Sequence, residues 1–414
     1  MALASKASNS RCACLRGWEN VEMSIERALP DLDLAHADAP DLHQLIDSTR
    51  SRGPVVPVLY HGETAYLVTG YDEVRAAFAD EEHFPAAAFY RVHAEPSVGR
   101  ILLAMVGKEH RVNRGLVSRP FLPGRVKGFI DGLITEEALR RIDLFSDQSE
   151  VDLVEAFTRP FPFSVITRLL GIPIQDEPRL LEWALKLLDY PWDPEGALQA
   201  RREFTAYLQP LLDTARAEPG EGLLSTLAQT EVDGHRLEDE EIFAFCRQLF
   251  PAGSDTTFKN LGSLLGAILT TPGMRDLARG SDSDRNDLAQ EGLRWEPPVA
   301  LQPRTCSQDT RLGDMDIAAG APMLFGITAA NRDAKVFDDP HRFDPKRPNN
   351  HQHLAFGFGE HFCLGARLAR RELETAVKLL FERFPNMELA SGSQLEIQKC
   401  VFRGPREVRV RLNV

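Results

Sequence analysis

The sequence predicts a mainly α-helical fold: a large helical domain threaded by one long central helix, with a small β-rich part. Three observations carry that expectation. From about residue 130 to 275, apolar residues recur at helical spacing in EEALRRIDLF, FSVITRLLG, RLLEWALKLLDY and ALQARREFTAYLQPLLDTAR. EEIFAFCRQLF then runs on into LGSLLGAILTT, so one helix spans roughly 239–270 and is about 45 Å long. By contrast, VVPVLYHGETAYLVTG at 55–70 reads as two short strands around a His-Gly-Glu turn.

Taken in order, the N-terminal stretch MALASKASNSRCACLRGWENVEM is small and polar with no apolar centre, which excludes a secretory signal. Residues 1–22 read as a disordered extension ahead of Met23, and 23–414 as a single domain. The strands at 55–70 lead into an amphipathic helix, YDEVRAAFAD. HFPAAAFYRVHAEPSVGR has no clear period and reads as a long loop over about 84–103, and a helix resumes near Lys108. Gly171 with Pro173, Pro191 with Pro194, and Pro219 with Gly220 separate the helices that follow. After the central helix come a helix at 287–295, strand-like TRLGDMDIAAG and APMLFGIT, an irregular Pro- and Asp-rich stretch at 333–350, the helix ARLARRELETAVKLLFERF and terminal strands. The β-rich part falls mainly at 50–72 and 300–330, and the helical core at 108–295 and 363–385.

Composition narrows the function. Of 414 residues, 43% are hydrophobic and 26% charged, and no apolar run is long enough to span a membrane. A net charge of -13 argues against a nucleic-acid partner. Cys12, Cys14, Cys246, Cys306, Cys363 and Cys400 are scattered and form no CxxC pair, so neither a zinc site nor a disulfide framework is signalled, and a cytoplasmic protein is expected. Two local basic segments stand against the acidic average: Lys108, Arg111, Arg114, Arg119, Arg125 and Lys127, then Arg367, Arg370 and Arg371. Each is either a solvated face or a docking site for an acidic partner.

The central helix contains LFPAGSDTT, Leu249–Thr257, which breaks helix rules. Pro251 removes a donor, Gly253 costs about 1 kcal/mol relative to alanine, and Ser254, Asp255, Thr256 and Thr257 compete for backbone partners. A kink is expected there, with Ala252 and Gly253 kept small for a group lying opposite.

FGFGEHFCLGARLARREL, from Phe356, places a cysteine among glycines just ahead of a helix. A helix N-terminus favours an anion, and Gly357, Gly359 and Gly365 permit φ > 0 and close backbone approach, which together stabilise a thiolate. From these residues alone, a haem ligand and a reactive cysteine stand equally open.

Phe356, Gly359, Cys363 and Gly365 match F-x-x-G-x-x-x-C-x-G, and the chain thereby resembles the cytochrome P450 family. Glu291-x-x-Arg294 and Ala252-Gly253-x-Asp255-Thr256-Thr257 fall in the family's order and spacing, as does His110-x-x-x-Arg114. The resemblance extends from about residue 50 to the C-terminus and implies a cytochrome P450-type fold. It implies haem b (iron protoporphyrin IX) with Cys363 as axial iron ligand, and His110, Arg114, Arg304 and His361 toward the propionates; His353 is a further candidate. It gives Asp255 and Thr256 the catalytic role of proton delivery to dioxygen. The pair Glu291 and Arg294 is structural in the family.

The same resemblance implies a bacterial haem-thiolate monooxygenase that inserts one oxygen atom of O2 into a hydrophobic small molecule: a terpenoid, steroid, fatty acid or aromatic compound. The pocket walls would be Phe89, Val92, Leu102, Leu249, Ala252, Val299, Leu301, Val401 and Phe402, with Gln248 as a polar handle. No flavin, nicotinamide or iron–sulfur motif occurs. Electrons are therefore expected from a ferredoxin-type donor docking on the basic proximal face of a monomer. A haem-thiolate peroxygenase and a non-catalytic haem-binding sensor are the alternatives; the Asp255–Thr256 pair weighs against both.

Overall fold

The computed structural model describes residues 28–118, 121, 130–232 and 234–412, so the expected extension at 1–22 and Arg119, Arg125 and Lys127 lie outside the described residues. The strands Val55–Tyr60 and Glu63–Val68 form the expected hairpin, in register from Val55 opposite Val68. The hairpin joins Pro322–Gly326 in parallel through Tyr66–Met323, and Leu301–Thr305 closes the four-stranded sheet antiparallel to Pro322–Gly326. Side chains on the two faces enter two small cores. One holds Val56, Val58, Leu67, Leu301 and Leu324, the other Val55, Val68, Phe78, Met323 and Phe325.

The large helical core surrounds one helix, Asp239–Thr270, whose bounds agree with the sequence reading. Glu238 and Glu241 form a capping box at its start, and buried residues occupy all sides, from Ile242 and Phe243 to Leu264 and Leu265. It packs against Pro160–Leu170, Asp282–Trp295 and Ala366–Arg383.

The structure departs from the sequence expectations at several points. The central helix is continuous through Leu249–Thr257, so the expected kink is not a break. Ser254 Oγ donates to the Phe250 carbonyl at 2.5 Å and Thr256 Oγ1 to the Ala252 carbonyl at 2.9 Å. These side chains bond along the helix instead of competing with it, while burial offsets the donor lost at Pro251. The unbroken helix counts against the expectation that a distortion of Leu249–Thr257 makes it the oxygen-binding and proton-delivery segment.

Gly253 also has a different reason to be small. A Cβ there would lie 2.7 Å from Ile166 Cδ1, so the glycine serves close packing against Pro160–Leu170. The supposed loop at 84–103 is largely helical, as Ala86–His93 and Glu95–Val98, because Ala86, Ala87 and Tyr90 pack on one face. The helix expected at 287–295 starts earlier, at Asp282, where Ser281 and Asp284 make a capping box.

Candidate functional site

Cys363 lies in the turn before the helix Ala366–Arg383, its N–H donating to the Phe356 carbonyl at 3.0 Å. Gly357 and Gly359 have φ of 69° and 77°, and a Cβ on Gly359 would meet the Phe78 carbonyl at 2.9 Å. Gly365 differs from the expectation: its φ is -83°, and it acts as N-cap, with the space of its missing Cβ 4.0 Å from Cys363 Sγ. Burial pushes the Cys363 thiol up, opposed by the Gly365 N–H, Arg114, Arg370 and the Ala366 N–H. The residue nevertheless keeps accessible surface. A group both enclosed by protein and accessible faces an internal opening.

The middle of the central helix has the same character. Ala252 is exposed and Gln248, Leu249, Asp255 and Thr256 are half-buried, between stretches that are buried throughout. Leu102, Leu249 of the central helix, and Phe356 and Leu364 of the Cys363 segment all pack against the one large hydrophobic core. Glu372 in the helix after Cys363 lies beside Thr257 of the central helix.

Polar groups beside the Cys363 turn are left without partners. His110 is buried; its Nδ1 meets Glu360 at 2.8 Å, and its Nε2 has no hydrogen-bond partner. The His361 ring lies 4.4 Å from that of His110, and its Nδ1 is likewise buried and unpaired. Burial lowers the His110 pKa, aided by His361 and opposed by Glu360. His361 Nε2 is 3.6 Å from Glu81. Burial alone would raise the Glu81 carboxyl, but His361, the Ala86 N–H and Arg304 together lower it.

Arg304 is buried among Phe78, Tyr90 and Phe325 and forms no salt bridge among the described residues; burial lowers its pKa. Arg114 reaches the Phe362 carbonyl at 2.6 Å, joining the helix Gly107–Ser118 to the cysteine turn. His353 does not join this group. Its ring nitrogens meet Gln290 at 3.1 Å and the Ala355 N–H at 3.2 Å, and burial holds its pKa down to about 3.

A buried cation without a carboxylate in salt-bridge reach and two buried ring nitrogens without hydrogen-bond partners are what two carboxylates of an absent group would satisfy. With an accessible sulfur beside them, these residues fit the haem expected from the sequence.

Among the wall residues, Phe89, Leu102, Val299 and Val401 are half-buried and Phe402 is 42% exposed. Val92 is 61% exposed, on the face of its helix opposite Ala86, Ala87 and Tyr90. Leu301 is a correction: it is fully buried in the small core. Strand alternation instead puts Gln302 on the face of Arg304, where its Nε2 donates to Tyr90 Oη at 2.8 Å. Period-two reading of LQPRT held that signal, but a strand edge was needed to use it.

Glu291 and Arg294 are paired and fully buried, as the resemblance implied. Sequence reasoning missed Glu81, Glu360, Gln302, Lys259 and Glu372. Lys259, four residues after Asp255, was legible as a helical ion pair. The two carboxylates that reach His361 and His110, Glu81 and Glu360, are each far in the chain from the histidine they meet and left no local signal.

A surface groove lined by Glu136, Arg140, Arg168 and Ile172 shares none of these residues. Among the described residues, no helix is long and apolar enough to cross a membrane.

Comparison with known proteins agrees with this geometry. The family profile Cytochrome P450 matches residues 286–404, which include Glu291, Arg294, Arg304 and Cys363. The 6-deoxyerythronolide B hydroxylase of Saccharopolyspora erythraea is 32% identical over 407 residues, covering 93% of this chain and 99% of its own. The putative cytochrome P450 YjiB of Bacillus subtilis is 32% identical over 368 residues, covering 86% and 91%. The crystal structure of CYP109E1 from Bacillus megaterium in complex with testosterone superposes with a TM-score of 0.81 at 26% identity, covering 90% of this chain and all of that one. The chain belongs to the cytochrome P450 family of haem-iron monooxygenases.

Proposed function

We propose that the protein hydroxylates a hydrophobic small molecule, with haem b held by Cys363 and electrons drawn from a ferredoxin-type donor. The observation that carries this reading is the pair of unpaired buried ring nitrogens, His110 Nε2 and His361 Nδ1, with buried Arg304, which forms no salt bridge among the described residues, beside the accessible Cys363. In this reading His110, Arg114, Arg304 and His361 would hold the propionates, and the Cys363 thiolate would bind the iron.

Bound haem supplies reduction and cleavage of dioxygen and transfer of one oxygen atom to the substrate. The chain's own residues do the rest. The Gly365 and Ala366 N–H groups, with Arg114 and Arg370, favour the thiolate of Cys363 against its burial. Thr256 presents a hydroxyl at the opening, and Asp255 next to it moves protons inward from solvent. Leu249, Ala252, Val299, Val401 and Phe402 exclude water around the substrate. The Gln248 side chain, which makes no hydrogen bond among the described residues, and the Gln302–Tyr90 pair are available to a substrate oxygen.

The ferredoxin would dock where the basic segments meet the cysteine turn. Lys108, Arg111 and Arg367 are exposed and unpaired among the described residues, whereas Arg371 is bound to Asp131 and Glu374 and Arg370 lies over the Phe356 ring. Lys108, Arg111 and Arg367 therefore carry the steering, despite the overall charge of -13.

A relative named for 6-deoxyerythronolide B and a neighbour crystallised with testosterone support a substrate of large apolar surface. The test is reconstitution with NADH, reductase and ferredoxin over a panel that includes testosterone. Oxygenated product, with reduction slowed by salt and by charge reversal at Arg367, is expected. Turnover with hydrogen peroxide alone would favour the peroxygenase, and absence of product under all conditions the sensor.

A further inference from the structure

Asp255 does not stand alone at the opening. Lys259, one turn later on the same helix, places Nζ 2.5 Å from Asp255 Oδ2, and the two side chains are 19% and 13% exposed. The ammonium also lies 5.2 Å from the ring centroid of Phe258 and 5.4 Å from that of Phe402. Phe402 belongs to the C-terminal turn, where it bridges to Val299, and it is 42% exposed.

That turn is shaped around the lysine. A Cβ on Gly404 would come within 2.7 Å of Lys259 Cβ and Cγ, so residue 404 lacks a side chain where the lysine stem passes. Next to it, Pro405 fills the space over Gly262, one turn further along the central helix. The backbone of the turn is fixed by buried Arg403, whose Nε binds Glu296 at 2.8 Å and whose Nη1 binds the Ala39 carbonyl at 2.8 Å. With the backbone held, the Phe402 side chain is the part of this turn free to move against the lysine.

The geometry points to Lys259 as a positioning residue that ties up Asp255 until a substrate displaces the Phe402 ring and loosens the ion pair. Proton delivery would then follow occupancy of the pocket, and the empty enzyme would be restrained from consuming electrons. The inference rests on the proposed role of Asp255 and goes beyond it by naming what controls that carboxylate.

The test uses holoenzyme carrying 15N-lysine, which gives nine lysine positions, with the Lys259 signal assigned by its loss in Lys259→Met. The ferrous carbon monoxide form leaves the pocket open, and the ferrous phenylimidazole form fills it with an aromatic ring. The Lys259 ammonium signal should be ring-shifted in the first, and should move in the second and in Phe402→Ala.

In parallel, electron consumption without substrate should rise about threefold to fivefold in Lys259→Met, the size expected for a partly exposed ion pair, and return to normal in Lys259→Arg. A Lys259 signal indifferent to both phenylimidazole and Phe402→Ala would overturn the inference. So would a Lys259→Met enzyme identical to wild type while Asp255→Asn slows turnover about a hundredfold. If Asp255→Asn were also without effect, the proton-delivery reading itself would fail, and the inference with it.

Discussion

Glu291 and Arg294, one helical turn apart, meet through two hydrogen bonds of 2.8 and 2.7 Å with neither side chain exposed. Arg294 continues to the carbonyls of Asn331 and Pro340 at 2.8 and 2.9 Å, and Glu291 accepts from the Asp344 N–H at 2.8 Å. The pair thereby holds the irregular stretch that leads to the cysteine turn. Removing one partner leaves a buried uncompensated charge, so Glu291→Gln should lower unfolding stability by about 3–5 kcal/mol, measured by denaturant titration.

Glu372 is fully buried with neither oxygen hydrogen-bonded, and burial raises its pKa well above the ordinary carboxylate value, with only the neighbouring Thr257 hydroxyl opposing. The folded state therefore holds this proton more tightly than the unfolded chain. Its contribution to stability is complete below the unfolded pKa, about 4.5, and is lost as pH rises through the folded one. Glu372→Gln should remove that slope and raise Tm at pH 8 by about 2 °C or more. A parallel pair of Tm–pH curves would refute the assignment.

Two glycines of the cysteine turn should respond differently to alanine. Gly359 has φ 77° and the Phe78 carbonyl 2.9 Å from the added Cβ, whereas Gly365 has φ -83° and no neighbour nearer than 4.0 Å. Gly359→Ala should cost about 1–3 kcal/mol and release haem more readily in a haem-transfer assay. Gly365→Ala should cost clearly less.

Thr256 donates its hydroxyl to the Ala252 carbonyl at the accessible middle of the central helix. Thr256→Ala loses only that bond structurally, so Tm should change little. In the proposed relay, electrons should then pass to peroxide in place of product. Comparing product formed with NADH consumed decides this, and undiminished coupling would remove Thr256 from the relay.

The sequence disclosed the helical core, the hairpin and the bounds of the central helix because each is a local pattern of apolar residues. It misjudged the segment around Phe89, where helix formation depends on Ala86, Ala87 and Tyr90 finding a surface to pack on. Gly253 was misread for a similar reason, since Ile166 is distant in the chain. Leu301 and Gln302 exchanged places because the strand face is set by the register that pairs Leu301 with Gly326 and Gln302 with Phe325. The family resemblance named Cys363, His110, Arg114, Arg304 and His361 as a haem site, but not the acids Glu81 and Glu360 that lie against the histidines.

The most direct measurement is the absorption spectrum of the purified, reduced, carbon monoxide-bound protein beside its Cys363→Ser variant. The thiolate-haem Soret band is predicted in the wild type and its loss in the variant. A colourless wild-type protein, or a band that survives in Cys363→Ser, would contradict the assignment of Cys363 as the iron ligand.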